Sequence, residues 1–293
     1  MYKKVRRIKL KKIKDEYKEI VKYFLKNKFF MCTIIIVAIL SFGFTITHHS
    51  VGVDDTCLDR YYTLNSEYSN TNMITAGRWG SFILYYVLDI TSFTPFWLDC
   101  ITTLLIIATA ITCCIFIKKQ CGEKYGIMPY IIFSCVYISY PMINEPFIFQ
   151  ASNLAVALST WITIVLLIYI YENYFNLKNN KMYIIIIPIL ATVISMYESC
   201  CQAYIVLMFG MILLRILLNK NESILNIIKF VIFNAVIMIL SIILNYIILN
   251  MFYLIGFENN LAGSKDIYWS EYSVLEGIKY IIAYIKMRYS RDN

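Results

Sequence analysis

The sequence predicts an all-α integral membrane protein, a polytopic bundle of about seven transmembrane helices. Of its 293 residues, 59% are hydrophobic and 16% are charged, whereas soluble chains average about 45–50% apolar and about 25% charged residues. Mean hydropathy is +0.63, and uncharged runs recur at lengths that can cross about 30 Å of hydrocarbon. This balance excludes a cytosolic enzyme, a disordered protein and a nucleic-acid-binding module.

The first 28 residues form a basic segment that precedes the first apolar run. They hold 12 of the 27 Lys and Arg residues, and basic and apolar residues alternate as in a helix that lies on anionic lipid headgroups. A plain topology anchor is the alternative interpretation. The next run, Phe29 to Thr47, has 19 residues, which is too long for the core of a cleaved signal peptide. We therefore predict an uncleaved first span.

Seven apolar runs predict seven spans. They are Phe29–Thr47, Cys100–Ile117, Ile127–Ile143, Pro146–Tyr171, Met182–Tyr197, Ser199–Leu214 and Phe230–Phe257. The fifth and sixth are each about 24 Å long and are separated by the lone Glu198, which predicts a tight helical hairpin. The stretch from Ser81 to Leu98 contains Asp89 and Pro95 and has aromatic residues at both ends. We predict that it lies in the outer interface as a helix rather than spanning.

The distribution of Lys and Arg predicts a cytoplasmic N-terminus. With that orientation, the inner segments 1–28, 118–125, 172–181 and 215–229 hold 20 of the 27 basic residues, as the positive-inside rule requires. We therefore expect three parts: a cytoplasmic basic segment 1–28, a transmembrane bundle 29–257 with an outer loop 48–95, and a C-terminal polar and amphipathic segment 258–293.

Carboxylates gather on the predicted outer face. They are Asp54, Asp55 and Asp59 in the first outer loop, and Glu145 and Glu198 in two later turns. Arg60 and Arg78 accompany them. Such a set suits group transfer to a hydroxyl, because a carboxylate can accept the proton of an attacking alcohol and a guanidinium can hold a leaving phosphate. The alternative is that these acids belong to solvated turns.

Other site chemistry finds little support in the sequence. His48 and His49 are adjacent and cannot readily share one ion, so we predict no metal. Nucleotide-binding glycine loops and hydrolase nucleophile motifs are absent from the sequence, and we predict no cofactor. Asn234, Asn245 and Asn250 in the last apolar run are expected to make hydrogen bonds between helices.

Two outer-loop motifs carry a family resemblance. The chain reads SVGVDDTCLDR after the first span and TAGRWG about 20 residues later. This pairing resembles the membrane glucosyltransferases that modify bacterial O-antigen and other surface polysaccharides, the phage serotype-converting type II family. NEPFIFQASNLAVALS and SMYESCCQAYIVL are similar to that family's later outer-face motifs. The resemblance covers roughly residues 29 to 215.

The resemblance implies a GT-C type fold and transfer of a sugar, expected to be glucose, from an undecaprenyl-phosphate donor to a surface polysaccharide. Asp54 or Asp55 matches the catalytic acid position, and Arg78 with Trp79 matches the element that follows. We expect the donor phosphate and the substrates to contact further residues, namely Arg60, Asp59, Glu145, Glu198 and Gln202.

Expected partners are the polyprenyl-phosphate-linked sugar, the polysaccharide acceptor and membrane lipid, with no nucleic acid. By resemblance, a small flippase and a separate enzyme that makes the donor accompany such transferases. Family members run longer, which implies that segment 258–293 begins a further region. A transporter or flippase for a lipid-linked intermediate, or a non-catalytic assembly subunit, is the alternative. The nearly charge-free midplane favours an enzyme, because transporters place ionisable groups there.

Overall fold

The computed structural model describes residues 2–48, 73–74, 77–88, 95–143, 147, 150–177, 183–219, 223–255 and 279. These residues form nine α-helices. The helices are α1 Tyr2–Lys26, α2 Lys28–Thr47, α3 Trp79–Val87, α4 Pro95–Cys121, α5 Met128–Ile138, α6 Gln150–Tyr171, α7 Tyr183–Met196, α8 Cys200–Leu218 and α9 Ile224–Leu254. A π-helical segment, Glu172–Leu177, continues α6.

Five helices are long and apolar enough to cross a membrane. These spans are Lys28–Thr47, Phe96–Lys124, Ser152–Leu177, Cys200–Leu218 and Ile224–Leu254. They confirm the all-α membrane class. The predicted count of seven is not confirmed, because α5 and α7 have only 11 and 14 residues. At 1.5 Å per residue they cover about 16 Å and about 21 Å, less than the roughly 30 Å of a hydrocarbon core.

The predicted interfacial helix from Ser81 to Leu98 is wrong as a single element. Helix α3 ends at Val87, and the long helix α4 already begins at Pro95, a residue type favoured at the start of a helix because it needs no N–H partner there. Helix α3 also buries one side, including Trp79, against the bundle. It packs on α6 and α7 instead of lying free at a surface.

The prediction of a tight helical hairpin around Glu198 is confirmed for the short turn but not for close packing of the two helices. Helix α7 ends at Met196 and α8 begins at Cys200, so the connection is short. However, α7 packs mainly on α9 and to a similar lesser extent on α3 and α6, whereas α8 packs mainly on α6 and α4, and the two helices make few contacts with each other. The two helices therefore diverge, because their larger apolar faces are covered by other helices.

Helices α4, α6 and α8 run parallel to one another, whereas α2 and α9 run in the opposite direction, and this gives the bundle two ends. At one end Tyr171 of α6 donates a hydrogen bond to Gln120 of α4, with 3.2 Å between the oxygens. At the other end Phe42 of α2 stacks on Phe147 with ring centroids 4.9 Å apart. We call the first the α1 end, because α1 packs there, and the second the α3 end, because the N-terminus of α3 lies there.

Helix α1 crosses the α1 end of the bundle. Its side chains Tyr17, Tyr23 and Phe24 meet, respectively, Glu172 after α6, Lys118 of α4 and Tyr130 of α5, with Phe24 and Tyr130 in edge contact. These three α1 residues span about 10 Å of helix yet reach three different helices. Such contacts require that α1 runs across the helix ends. The contact of α1 with lipid stays a prediction.

Glu172 fastens α1 to the bundle. The residue is 4% exposed, and one carboxylate oxygen accepts a hydrogen bond from the Tyr17 hydroxyl at 2.8 Å and pairs with Lys119 Nζ at 2.9 Å. The other oxygen accepts from Asn176 at 2.6 Å. Burial, and then the adjacent carboxylate, raise the pKa of Tyr17, so its hydroxyl keeps the proton that it donates.

Candidate active site at the α3 end

The predicted site residues fall into two groups. The structure describes Arg78, Trp79, Glu198 and Gln202. The others lie outside the described residues, and their roles stay predictions: Asp54, Asp55, Asp59, Arg60 and Glu145. The described part of the site is therefore the segment that begins α3 and the turn between α7 and α8.

Trp79 anchors the first turn of α3 to α9. Its side chain is 5% exposed, and its indole Nε1 donates a hydrogen bond to Asn245 Oδ1 at 2.6 Å. The predicted interhelical role of Asn245 is thereby confirmed, as is that of Asn234, which accepts from the Tyr204 hydroxyl at 2.6 Å. For Asn250 the described residues include no such bond. In a membrane these bonds fix which faces of the helices meet.

Arg78 precedes α3 and lies over an aromatic ring. Its guanidinium carbon is 5.1 Å from the centroid of Tyr197. Its Nε is buried, and no group among the described residues accepts a hydrogen bond from it. Ring stacking orients a guanidinium without neutralising it, so its planar donors stay suited to a phosphate or carboxylate ligand.

The same contact joins two predicted site segments. The ring under Arg78 belongs to Tyr197, which directly precedes Glu198 in the turn between α7 and α8. Glu198 and Gln202 are both exposed, so they are free to meet a ligand, although a solvated turn remains the alternative for Glu198. The structure thus brings the Gly-Arg-Trp element and the Glu198 turn to the same end of the bundle.

Two glycines and a serine explain how this segment fits. Gly77 has φ +79°, a backbone conformation that only glycine adopts at little cost. A Cβ at Gly80 would lie 2.6 Å from the carbonyl oxygen of Thr192 in α7, so α3 and α7 are in backbone contact. Ser81 Oγ donates a hydrogen bond to the Met196 carbonyl at 2.7 Å, which satisfies an acceptor at the end of α7.

Sequence reasoning missed Asp99. This residue lies one turn into α4 at the α3 end and is 1% exposed. Its Oδ1 accepts a hydrogen bond from Asn153 Nδ2 of α6 at 2.7 Å. Starting the second span at Cys100 treated Asp99 as part of a loop. The signal was available, because a carboxylate flanked by Trp97–Leu98 and Cys100–Ile101 interrupts an otherwise apolar run, and such residues mark functional positions in membranes.

Metal-binding clusters are not found in the described part of the chain. No group of three or more His, Cys, Asp or Glu residues is placed there to hold an ion. At the α3 end the described residues supply a guanidinium, an aromatic ring beneath it and the exposed polar groups of the Glu198 turn.

The fold and this cluster define a polytopic helical membrane protein with a cationic, aromatic site at one end of its bundle. The family model of Glucosyl transferase GtrII matches residues 43–290, and the chain belongs to this family. Membership identifies it as a membrane glucosyltransferase for surface polysaccharide. The matched range includes both the Gly-Arg-Trp segment and the acidic loop before it. No curated protein and no solved structure matches the chain significantly.

Proposed function

We propose that this protein transfers glucose from a polyprenyl-phosphate donor to a hydroxyl group of a bacterial surface polysaccharide, as a GT-C-like enzyme of the cytoplasmic membrane. One observation supports the proposal in addition to family membership. Arg78 is stacked on Tyr197, and the next residue, Trp79, is held by its hydrogen bond to Asn245. A guanidinium held in this way at the end of a membrane bundle suits a phosphate at the level of lipid headgroups.

The active site faces outward in this proposal. Lys118, Lys119 and Arg215 lie at the α1 end, together with the lysines of α1. The positive-inside rule assigns that end to the cytoplasm. Arg78 and the Glu198 turn then lie on the opposite side, where a lipid-linked sugar and a surface polysaccharide meet.

The proposed reaction is a displacement at the anomeric carbon of the donor sugar. The acceptor hydroxyl oxygen bonds to that carbon while the bond from the carbon to the phosphate oxygen breaks, and the polyprenyl phosphate leaves with the bonding electrons. Asp54 or Asp55 accepts the hydroxyl proton if the reaction inverts. Arg78 stabilises the charge that develops on the phosphate.

The remaining predicted residues complete the site in this proposal. Arg60, Asp59, Glu145, Glu198 and Gln202 contact the donor phosphate, the sugar or the acceptor. A small flippase and an enzyme that loads the lipid carrier supply the donor. No metal is needed, because Arg78 supplies the positive charge that a monophosphate leaving group requires.

The test is transfer of radiolabelled glucose from undecaprenyl-phosphate glucose to cell-envelope polysaccharide in membranes that contain the 293-residue chain. Arg78→Gln, Asp54→Asn and Asp55→Asn are the test variants. We expect Arg78→Gln to lower transfer about 100-fold or more, as for the loss of one preorganised donor to a developing charge.

Arg215→Gln is the matched control. Arg215 is also ring-stacked, 3.7 Å from the Phe175 centroid, but it lies at the α1 end, where it donates to the Tyr171 hydroxyl. Its loss should leave transfer per folded molecule nearly unchanged. Wild-type transfer by Arg78→Gln, or movement of the lipid-linked sugar across vesicles without transfer, would reject the proposal in favour of another role.

A further inference from the structure

A buried polar pair links α4 to α6 at the α3 end. Asp99 and Asn153 are 1% and 0% exposed, and they share a hydrogen bond of 2.7 Å. The side-chain oxygen of Asn153, Oδ1, accepts a second hydrogen bond, from the Leu154 N–H. Each residue lies within about one turn of the start of its helix.

This pair lies close in the chain to a residue of α6 on which α3 packs. Ala155, two residues after Asn153, belongs to a small apolar cluster with Tyr85 of α3 and Met196 of α7. Met196 in turn accepts the hydrogen bond from Ser81. The first turns of α6 therefore connect Asp99 with the helix whose N-terminus carries Arg78 and Trp79.

A buried carboxylate is an expensive way to join two helices in a membrane. Removing an acid from water carries a desolvation penalty that a packed aliphatic pair does not have, and apolar replacements of buried polar pairs are often neutral or stabilising. The directional bond between Asp99 and Asn153 does what an aliphatic contact does not: it fixes one register and one rotation of α4 against α6.

We propose that Asp99 and Asn153 are a positioning pair for the candidate active site. They hold the first turns of α4 and α6 together, and through the apolar cluster of Ala155, Tyr85 and Met196 they keep α3 packed on the bundle so that Trp79 and Arg78 face the donor phosphate. Asp99 acts through α6 and α3 and does not itself touch the substrate. The effect of this pair on glucose transfer rests on the proposed function, whereas its effect on the packing of α3 against the bundle does not.

The first readout is the environment of Trp79, which requires no substrate. Trp97→Phe, Trp161→Phe and Trp269→Phe leave Trp79 as the sole indole of the full-length chain in nanodiscs. Acrylamide quenching then reports whether its buried indole remains covered. We expect Asp99→Leu and Asn153→Leu to raise the quenching constant about threefold or more, as α3 opens locally.

Two further variants make this readout specific. Asp99→Asn with Asn153→Asp exchanges the two groups and rebuilds the pair, so it should restore most of the protection of Trp79. Asn234→Leu removes an equally buried bond, to Tyr204, about 16 Å further from the α3 end along α9 than Asn245. This control should leave quenching unchanged.

The outcomes separate the two hypotheses. Unchanged quenching in Asp99→Leu, or an equal rise in Asn234→Leu, overturns the positioning role. If the leucine variants do not fold, Asn153→Ser decides, and full protection of Trp79 in it overturns the role as well.

Glucose transfer is the second readout, measured per folded molecule. We expect Asp99→Leu to lower kcat about 10- to 100-fold, as small misplacements of a site do, with the swapped pair recovering and Asn234→Leu unaffected. Inactivity of the unmodified chain with every donor would reject the proposed function, while the Trp79 result still decides on the positioning pair.

Discussion

Arg78 and Lys119 both lie over aromatic rings, but of the two only Lys119 pairs with a carboxylate among the described residues. Lys119 lies 2.9 Å from the buried Glu172, so its charge is already neutralised inside the protein. The contact of Arg78 with Tyr197 orients the guanidinium but leaves its positive charge uncompensated by the ring. At the residue scale, this contrast separates a cation that holds helices together from one that suits an anionic ligand.

Gly80 gives a prediction at the same scale. Gly80→Ala should lower the free energy of unfolding by about 1–3 kcal/mol, the usual cost of overpacking, because the added methyl meets the Thr192 carbonyl. Gly210→Ala in α8 is the control, since a Cβ there has no neighbour within 4 Å. Thermal unfolding in detergent measures both. Equal melting temperatures for the two variants would mean that α3 and α7 are not in backbone contact.

At the scale of elements, α1 is a helix with its own site on the bundle. Asn27 breaks it from α2 and caps the next helix, since Asn27 Oδ1 accepts a hydrogen bond from the Phe30 N–H at 2.9 Å. The break lets α1 turn across the helix ends, where Glu172 receives Tyr17 and Lys119. The contact of Glu172 with Tyr17 and Lys119 fixes α1 at one place on the bundle. Basic residues that interacted only with lipid headgroups would not fix its position.

Glu172→Gln should loosen α1. The amide keeps the shape but removes the charge that pairs with Lys119, which leaves a buried cation less well satisfied, at a cost of about 1–3 kcal/mol. Hydrogen exchange across α1 should therefore accelerate. Glu123→Gln is the control, because Glu123 pairs with Lys118 while its side chain is 92% exposed, and exposed pairs contribute little. Equal exchange in Glu172→Gln and the wild type would contradict the anchoring role.

At the scale of the whole molecule, the bundle has a basic end and an end with the Arg78 site. Helices α4 and α6 are parallel, so Asp99 and Asn153 at their N-termini lie at the Arg78 end, and Gln120 and Tyr171 at their C-termini lie at the basic end. The proposed function requires that this end faces the compartment where the sugar of the proposed lipid-linked donor is displayed. Orientation is therefore a functional property of the entire chain.

Thiol labelling tests the orientation. In a chain whose nine cysteines are replaced by serine or alanine, Glu198→Cys should react with a membrane-impermeant maleimide in intact cells. Glu123→Cys, at the other end, should react only after permeabilisation, because the positive-inside rule assigns the basic end to the cytoplasm. The reverse pattern would place the Arg78 site in the cytoplasm and reject transfer at the outer face.

Much of this architecture could be predicted from the sequence because helices that cross lipid require long runs of uncharged, apolar residues. Uncharged runs gave the five long helices, and Asn245 and Asn234 could be expected to bond between helices because amides in apolar runs need partners. Asp99 could not be placed in this way. Its partner Asn153 is 54 residues away, and linear hydropathy holds no information about which helices become neighbours.

The sequence by itself determined the membrane class, the basic N-terminal segment and the family resemblance, since composition and local motifs do not depend on how the helices pack. Only the tertiary structure decided that α7 and α8 diverge and that Arg78 lies over Tyr197. These features arise from contacts between segments far apart in the chain, where the shape of one helix selects its neighbour.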